Sequence, residues 1–156
     1  MATILKLLHV AAAIVFLGNI LTGLFWHAHA SRTRDPRLLA HAMEGIIRSD
    51  RLFTIPGVAI LVATGVALAL QAHLPLLRTG WIGGAIALMA ASGIVFVARV
   101  APLQRKLHAM AAEGVRTGSF DAARYRAVAL AWEGWGAAAL LTPVAALVLM
   151  ILKPGA

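Results

Sequence analysis

The sequence contains no cysteine, little charge and few aromatic residues, and each shortage closes off a class of chemistry. Without cysteine there are no disulfides, thiolate metal sites, iron–sulfur clusters or c-type haem attachments. Charged residues make up 13% of the 156 and hydrophobic ones 61%, against about 25% and about 45–50% in a soluble domain. A water-soluble domain is thereby excluded, as is a disordered chain, which needs low hydrophobicity. Acidic residues are scarcest, with 6 Asp and Glu against 14 Lys and Arg and a formal net charge of +8. The GxxxxGK, GxSxG and HExxH patterns are missing too, so no soluble-type nucleotide, hydrolase or zinc-peptidase site is written here.

Long apolar runs are what the sequence has in abundance. A helix needs about 20 mainly apolar residues to cross a hydrocarbon core of about 30 Å. Four stretches reach that length: Ile4 to Trp26, Leu52 to Ala72, Gly80 to Ala98 and Ala127 to Leu152. None alternates apolar and polar residues at a period of two, as a lipid-facing barrel strand must. The expected fold is all-α, a four-helix transmembrane bundle forming one integral membrane domain over residues 1–156. The first run outlasts the h-region of a signal peptide, about 7–15 residues, and ends in Phe25-Trp26-His27 rather than small residues, so it reads as a retained span.

The basic residues orient the bundle. The segment His27 to Arg51 holds Arg32, Arg34, Arg37, Arg48 and Arg51, and Arg99 to Arg126 holds Arg99, Arg105, Lys106, Arg116, Arg124 and Arg126. Lys6, Arg78 and Lys153 are left for the other side. Cytoplasmic loops carry the Lys/Arg excess, so both long loops are expected inside and both termini outside. The partner of this charge is the lipid bilayer with its anionic headgroups, and no nucleic acid is invoked. Asp35-Pro36 suits the N-cap and first position of a short interfacial helix over Asp35 to Gly45. Leu103 to Val115 reads alike, with Gly114 or Gly118 as its end. Trp26, Trp81, Trp132 and Trp135 read as interface anchors. The short connection His73 to Thr79 predicts that the second and third spans are antiparallel neighbours.

Gly83, Ala87 and Ala91, with Gly84 and Leu88 on the adjacent row, and Gly134 with Ala138, predict faces of close helix approach. Pro56 and Pro143 predict bends whose freed carbonyls meet a hydroxyl, for which Thr54, Thr64 and Thr142 are suitable donors.

An ionisable residue at the centre of a span costs about 2.5–3.5 kcal/mol on insertion scales, which makes such residues the functional candidates. These are His9, Asn19 and Glu133, with His73 at the edge of the second span. The stripe that shares a face with His9 (Ala13, Phe16, Ile20, Gly23) holds no second ligand, and His27 lies about 27 Å farther along the axis. A partner for His9 must come from another helix, and His73 and Met150 end their spans at its level. A His pair, or His with Met, is how a bundle grips b-type haem. A hydrogen bond from His9 across helices is the alternative, as is ordinary apolar packing for Met150. Glu133 is expected at the level of Asn19, neutralised by Arg51 or Arg99 reaching in from the same interface. His27, His29, His41 and His108 lie in or near the loops and read as solvated.

Leu5-Lys6-Leu7-Leu8-His9-Val10, Asp50-Arg51-Leu52-Phe53-Thr54-Ile55-Pro56-Gly57, Thr64-Gly65 and Met150-Ile151-Leu152-Lys153-Pro154 resemble a family of bacterial integral membrane proteins of unknown function. The resemblance covers most of the chain and implies four spans in an inner membrane. More distantly, the order of features is similar to the HemJ group of membrane protoporphyrinogen oxidases and to the copper-resistance CopD group. The HemJ-like pattern implies haem b with His9 as its ligand. This sequence departs from the pattern at Trp81-Ile82-Gly83-Gly84-Ala85-Ile86, which has no lysine after the tryptophan and no histidine later in the span, so the oxidase activity does not carry over and haem binding without it stays open. The expected function is electron transfer or a membrane redox step through haem b, with a second copy of the chain or a redox protein as partner. The alternatives are a non-catalytic accessory or assembly protein, and copper handling through His9, His73 and Met150.

Overall fold

The computed structural model describes residues 1–155, which form four continuous helical rods joined by short connections. The first rod is α1 (Ala2–Ser31). The second is α2 (Pro36–Ser49), which runs through a π turn at Asp50–Thr54 into α3 (Ile55–Gln71). The third is α4 (Gly80–Val95), which runs through a π turn at Phe96–Val100 into α5 (Ala101–Thr117). The fourth is α6 (Ala122–Leu152). All four are long and apolar enough to cross a membrane, as the sequence predicts.

The central rods, at 36 and 38 residues, are about 54 and 57 Å long at 1.5 Å per residue, well beyond the hydrocarbon thickness. The segments read as separate interfacial helices are therefore stiff continuations of the spans. Asp35 caps α2 as expected, its carboxylate accepting the Arg37 N–H at 2.8 Å. What joins each extension to its span is a π turn that begins six residues before a proline, Asp50 before Pro56 and Phe96 before Pro102. Widening the helix by one residue accommodates the missing proline donor without ending the rod. Gly118, at φ 71°, terminates α5, whereas Gly114 stays inside the helix beneath Phe120.

The rods associate as two pairs. α1 lies along α3, and α4 lies along α6, while no Cα of α3 comes within 8 Å of one in α4. The second and third rods are antiparallel, as their connection requires, but they meet at the end where α2 and the start of the Asp50–Thr54 turn face α5. Eight residues, Ala72 to Thr79, can reach roughly 26 Å when extended, so the connection does not force contact. The core lies at the basic end. There α2 buries Leu39, Met43 and Ile46, α5 buries Leu107 and Ala111, and these pack with Ala30, Val100, Tyr125, Ala129 and Trp132. Trp132 is 3% exposed and belongs to this core instead of anchoring the interface. Trp81 and Trp135 sit under the cations of Lys153 and Arg99 at 5.5 and 5.4 Å.

In the other half the small residues do the packing, on the Gly84 row as expected but not on that of Ala87 or of Gly134. Gly84 admits the Leu149 side chain and Gly57 the Cβ of Phe16, whereas Ala87 and Gly134 are exposed. On α6 the buried row is Gly136, Ala139, Pro143 and Ala146. Pro143 cannot donate to the Ala139 carbonyl, and the hydroxyl that replaces the lost donor comes from Ser92 of α4, at 2.7 Å. Thr142 lies 3.4 Å from that carbonyl and bonds chiefly to Ala138 at 3.2 Å.

Candidate functional site

His9 is held against α3. Its Nδ1 is 3.0 Å from the Thr64 hydroxyl, and Gly65 leaves room for the ring, since a Cβ there would stand 3.0 Å from His9 Cε1. The Thr64 hydroxyl is also 2.6 Å from the Ile60 carbonyl and 3.2 Å from that of Leu61 in its own helix. With its hydrogen given to Ile60, Thr64 accepts from His9 Nδ1, the tautomer in which Nε2 carries the lone pair.

The contacts of His9 are with Thr64 and Gly65 of α3. His73 is exposed and has φ 55°, the left-handed residue that closes α3 through its backbone N–H to Leu70. Met150 is half-buried on α6, next to Leu149, which packs on Gly84 of α4. Among the described residues, no three His, Asp or Glu side chains converge as a metal cluster would require.

Glu133 is neutralised from its own helix. Arg126, two turns earlier, donates to its carboxylate at 2.6 Å, while Arg51 is exposed and Arg99 lies over Trp135. The arginine in register on the same helix face reaches the carboxylate, and those on neighbouring helices do not. His27, expected to be solvated, is fully buried. Its Nε2 is 3.3 Å from the Tyr125 hydroxyl, its Nδ1 is 3.7 Å from Glu133, and its ring packs edge-on against Trp132. α1 runs on to Ser31, and so carries this histidine into the basic-end core.

Asn19 meets Asp50, not Glu133. Its amide donates to Asp50 at 3.1 Å and to the Thr54 hydroxyl at 2.9 Å. Thr54 donates to the same carboxylate oxygen at 2.8 Å, and Gln104 of α5 donates to the other at 2.8 Å. Asp50 is 7% exposed, and all its side-chain partners are uncharged. Sequence reasoning missed Asp50 and Gln104 because both fall outside the stretches read as spans, beside arginines. The signal was present in Asp50 standing six residues before Pro56, inside what proves to be one unbroken helix.

No curated protein and no solved structure matches the chain. A family model does, over residues 3–154, and neither the HemJ nor the CopD group is the family it describes. With four spanning helices and a match over nearly its whole length, the chain belongs to the family described as Predicted integral membrane protein (DUF2269).

Proposed function

We propose that this multi-pass protein resides in a bacterial inner membrane, basic end in the cytoplasm and both termini outside, and serves a membrane redox step with a b-type haem on His9. The observation that supports the reading is the contact of His9 Nδ1 with the Thr64 hydroxyl. With the Nδ1 hydrogen given to Thr64, Nε2 is in the state in which a histidine ligates a metal, and Thr64 makes the hydrogen bond that orients such a ligand. His9 is the single ligand this reading takes from the chain.

A bound haem would supply one-electron chemistry. The chain's part is to keep His9 in its ligating tautomer through Thr64, to seat the ring against Gly65, and to surround it with apolar surface. A redox protein or a second copy of the chain is the partner this reading requires.

The test is an optical spectrum of the detergent-purified protein before and after dithionite, with metal analysis on the same sample. A Soret band, iron, and loss of both in His9→Ala with helix content retained are expected. Thr64→Val should weaken retention of the group about 10–100-fold, the usual cost of removing a second-shell partner. Absence of Soret absorption and iron would overturn the reading, and bound copper would replace it with the copper alternative. A His9→Ala protein altered only in thermal stability would make the imidazole a pin between helices.

A further inference from the structure

The Asp50 cluster is independent of the His9 reading and has a property that a structural pin does not need. We propose that Asp50 is a reversible proton-binding site, built so that its carboxylate and its carboxylic acid are both satisfied by the same neutral side chains. Three observations lead there.

The first is burial without a counter-charge. A carboxylate withdrawn from water is ordinarily paired with a cation. Among the described residues Asp50 forms no ion pair, and its side-chain partners are Asn19, Thr54 and Gln104. On its own rod Arg48 and Arg51 are exposed, and on α5 so are Arg105 and Lys106 beside Gln104, with His108 one turn on half-buried. On α2, Arg37, His41 and Glu44 are exposed. α1 presents Asn19 at this level, with His27 two turns on and engaged by Tyr125, and His9 turned to Thr64. α3 carries no ionisable side chain.

The second is the chemistry of the partners. Each of Asn, Gln and Thr both donates and accepts. The present arrangement suits the carboxylate, with Asn19 and Thr54 donating to one oxygen and Gln104 to the other. When a proton adds to the oxygen facing Gln104, turning that amide over offers its carbonyl oxygen to the new O–H. Lysine or arginine in place of Gln104 would favour the charged form alone.

The third is position. Asp50 opens a π turn, the local geometry that recurs at functional sites, and sits at the level where α1, the second rod and α5 converge. Above it the two helix pairs separate. The Asp50–Gln104 bond is also the hydrogen bond that ties the second rod to the third, so the proton site lies at the joint between the pairs.

The test uses the intact protein in lipid nanodiscs, with aspartate carbon-13-labelled at the side-chain carboxyl. The sequence has three aspartates, and the other two, Asp35 and Asp121, cap helices. Their resonances are identified by Asp35→Asn and Asp121→Asn, so Asp50 is assigned by elimination even if Asp50→Asn does not fold. We expect the Asp50 resonance to titrate as one group within the pH range in which the fold survives. In Gln104→Lys the midpoint should fall by about 1–3 pH units, the effect of an adjacent cation. An Asp50 resonance that keeps one protonation state throughout the pH range in which the fold survives would overturn the proposal. So would a midpoint unmoved in a folded Gln104→Lys.

Discussion

The two halves of this molecule are built from the same four rods and held together differently. At the basic end α2 and α5 are amphipathic, their apolar stripes meet, and Leu39, Met43 and Leu107 are at most 2% exposed. Toward the termini the rods part into two pairs, and large residues such as Ile14 and Leu141 are 67% and 65% exposed. The extensions rise beyond the hydrocarbon layer, where water drives apolar stripes together. Within lipid no such drive exists between helices, so association there depends on glycine contacts and a few hydrogen bonds. The difference teaches that the mechanical core of this membrane protein lies at the edge of the membrane.

Truncation at the centre of the basic-end core breaks this contrast most directly. Leu107→Ala should cost about 2–5 kcal/mol, as for other buried leucines, read as a lowered unfolding midpoint in detergent. Gly114→Ala should cost about 1–3 kcal/mol through overpacking, since its Cβ would stand 2.8 Å from Phe120 Cδ2; a Phe120→Ala background should relieve most of it. In the other half, Ser92→Ala removes the donor that replaces the one lost at Pro143, and should cost about 1–2 kcal/mol and loosen α4 against α6. Ile14→Ala, facing lipid, should leave the midpoint within the scatter of replicate scans. If Ile14→Ala proved as costly as Leu107→Ala, the two halves would share one packing principle and the contrast would fail.

The four spans were legible because each is a long apolar run and lipid admits few backbone solutions. The Asp35 cap and the close of α5 at Gly118 were legible from local chemistry. The extensions were read as separate interfacial helices because hydropathy falls at their borders while helix geometry does not. A polar stretch ends a hydrophobic run without ending a helix. The Ala87 row was mistaken for a related reason. Spacing of four places Gly83, Ala87 and Ala91 on one face, but which face meets α6 depends on the rotation of the whole rod. His9 was legible as an ionisable residue in a span, whereas its bond to Thr64 and the resulting tautomer depended on the pairing of α1 with α3.

By itself the sequence determined the solvent, the number of spans and the segregation of basic residues toward one end, because these follow from residue composition along one dimension. Tertiary structure alone decided that the spans run unbroken into α2 and α5, that they pair as two and two, and that Asp50 meets Asn19 and Gln104. Those outcomes turn on helix azimuth and on contacts between residues far apart in the chain, which no count along the sequence contains.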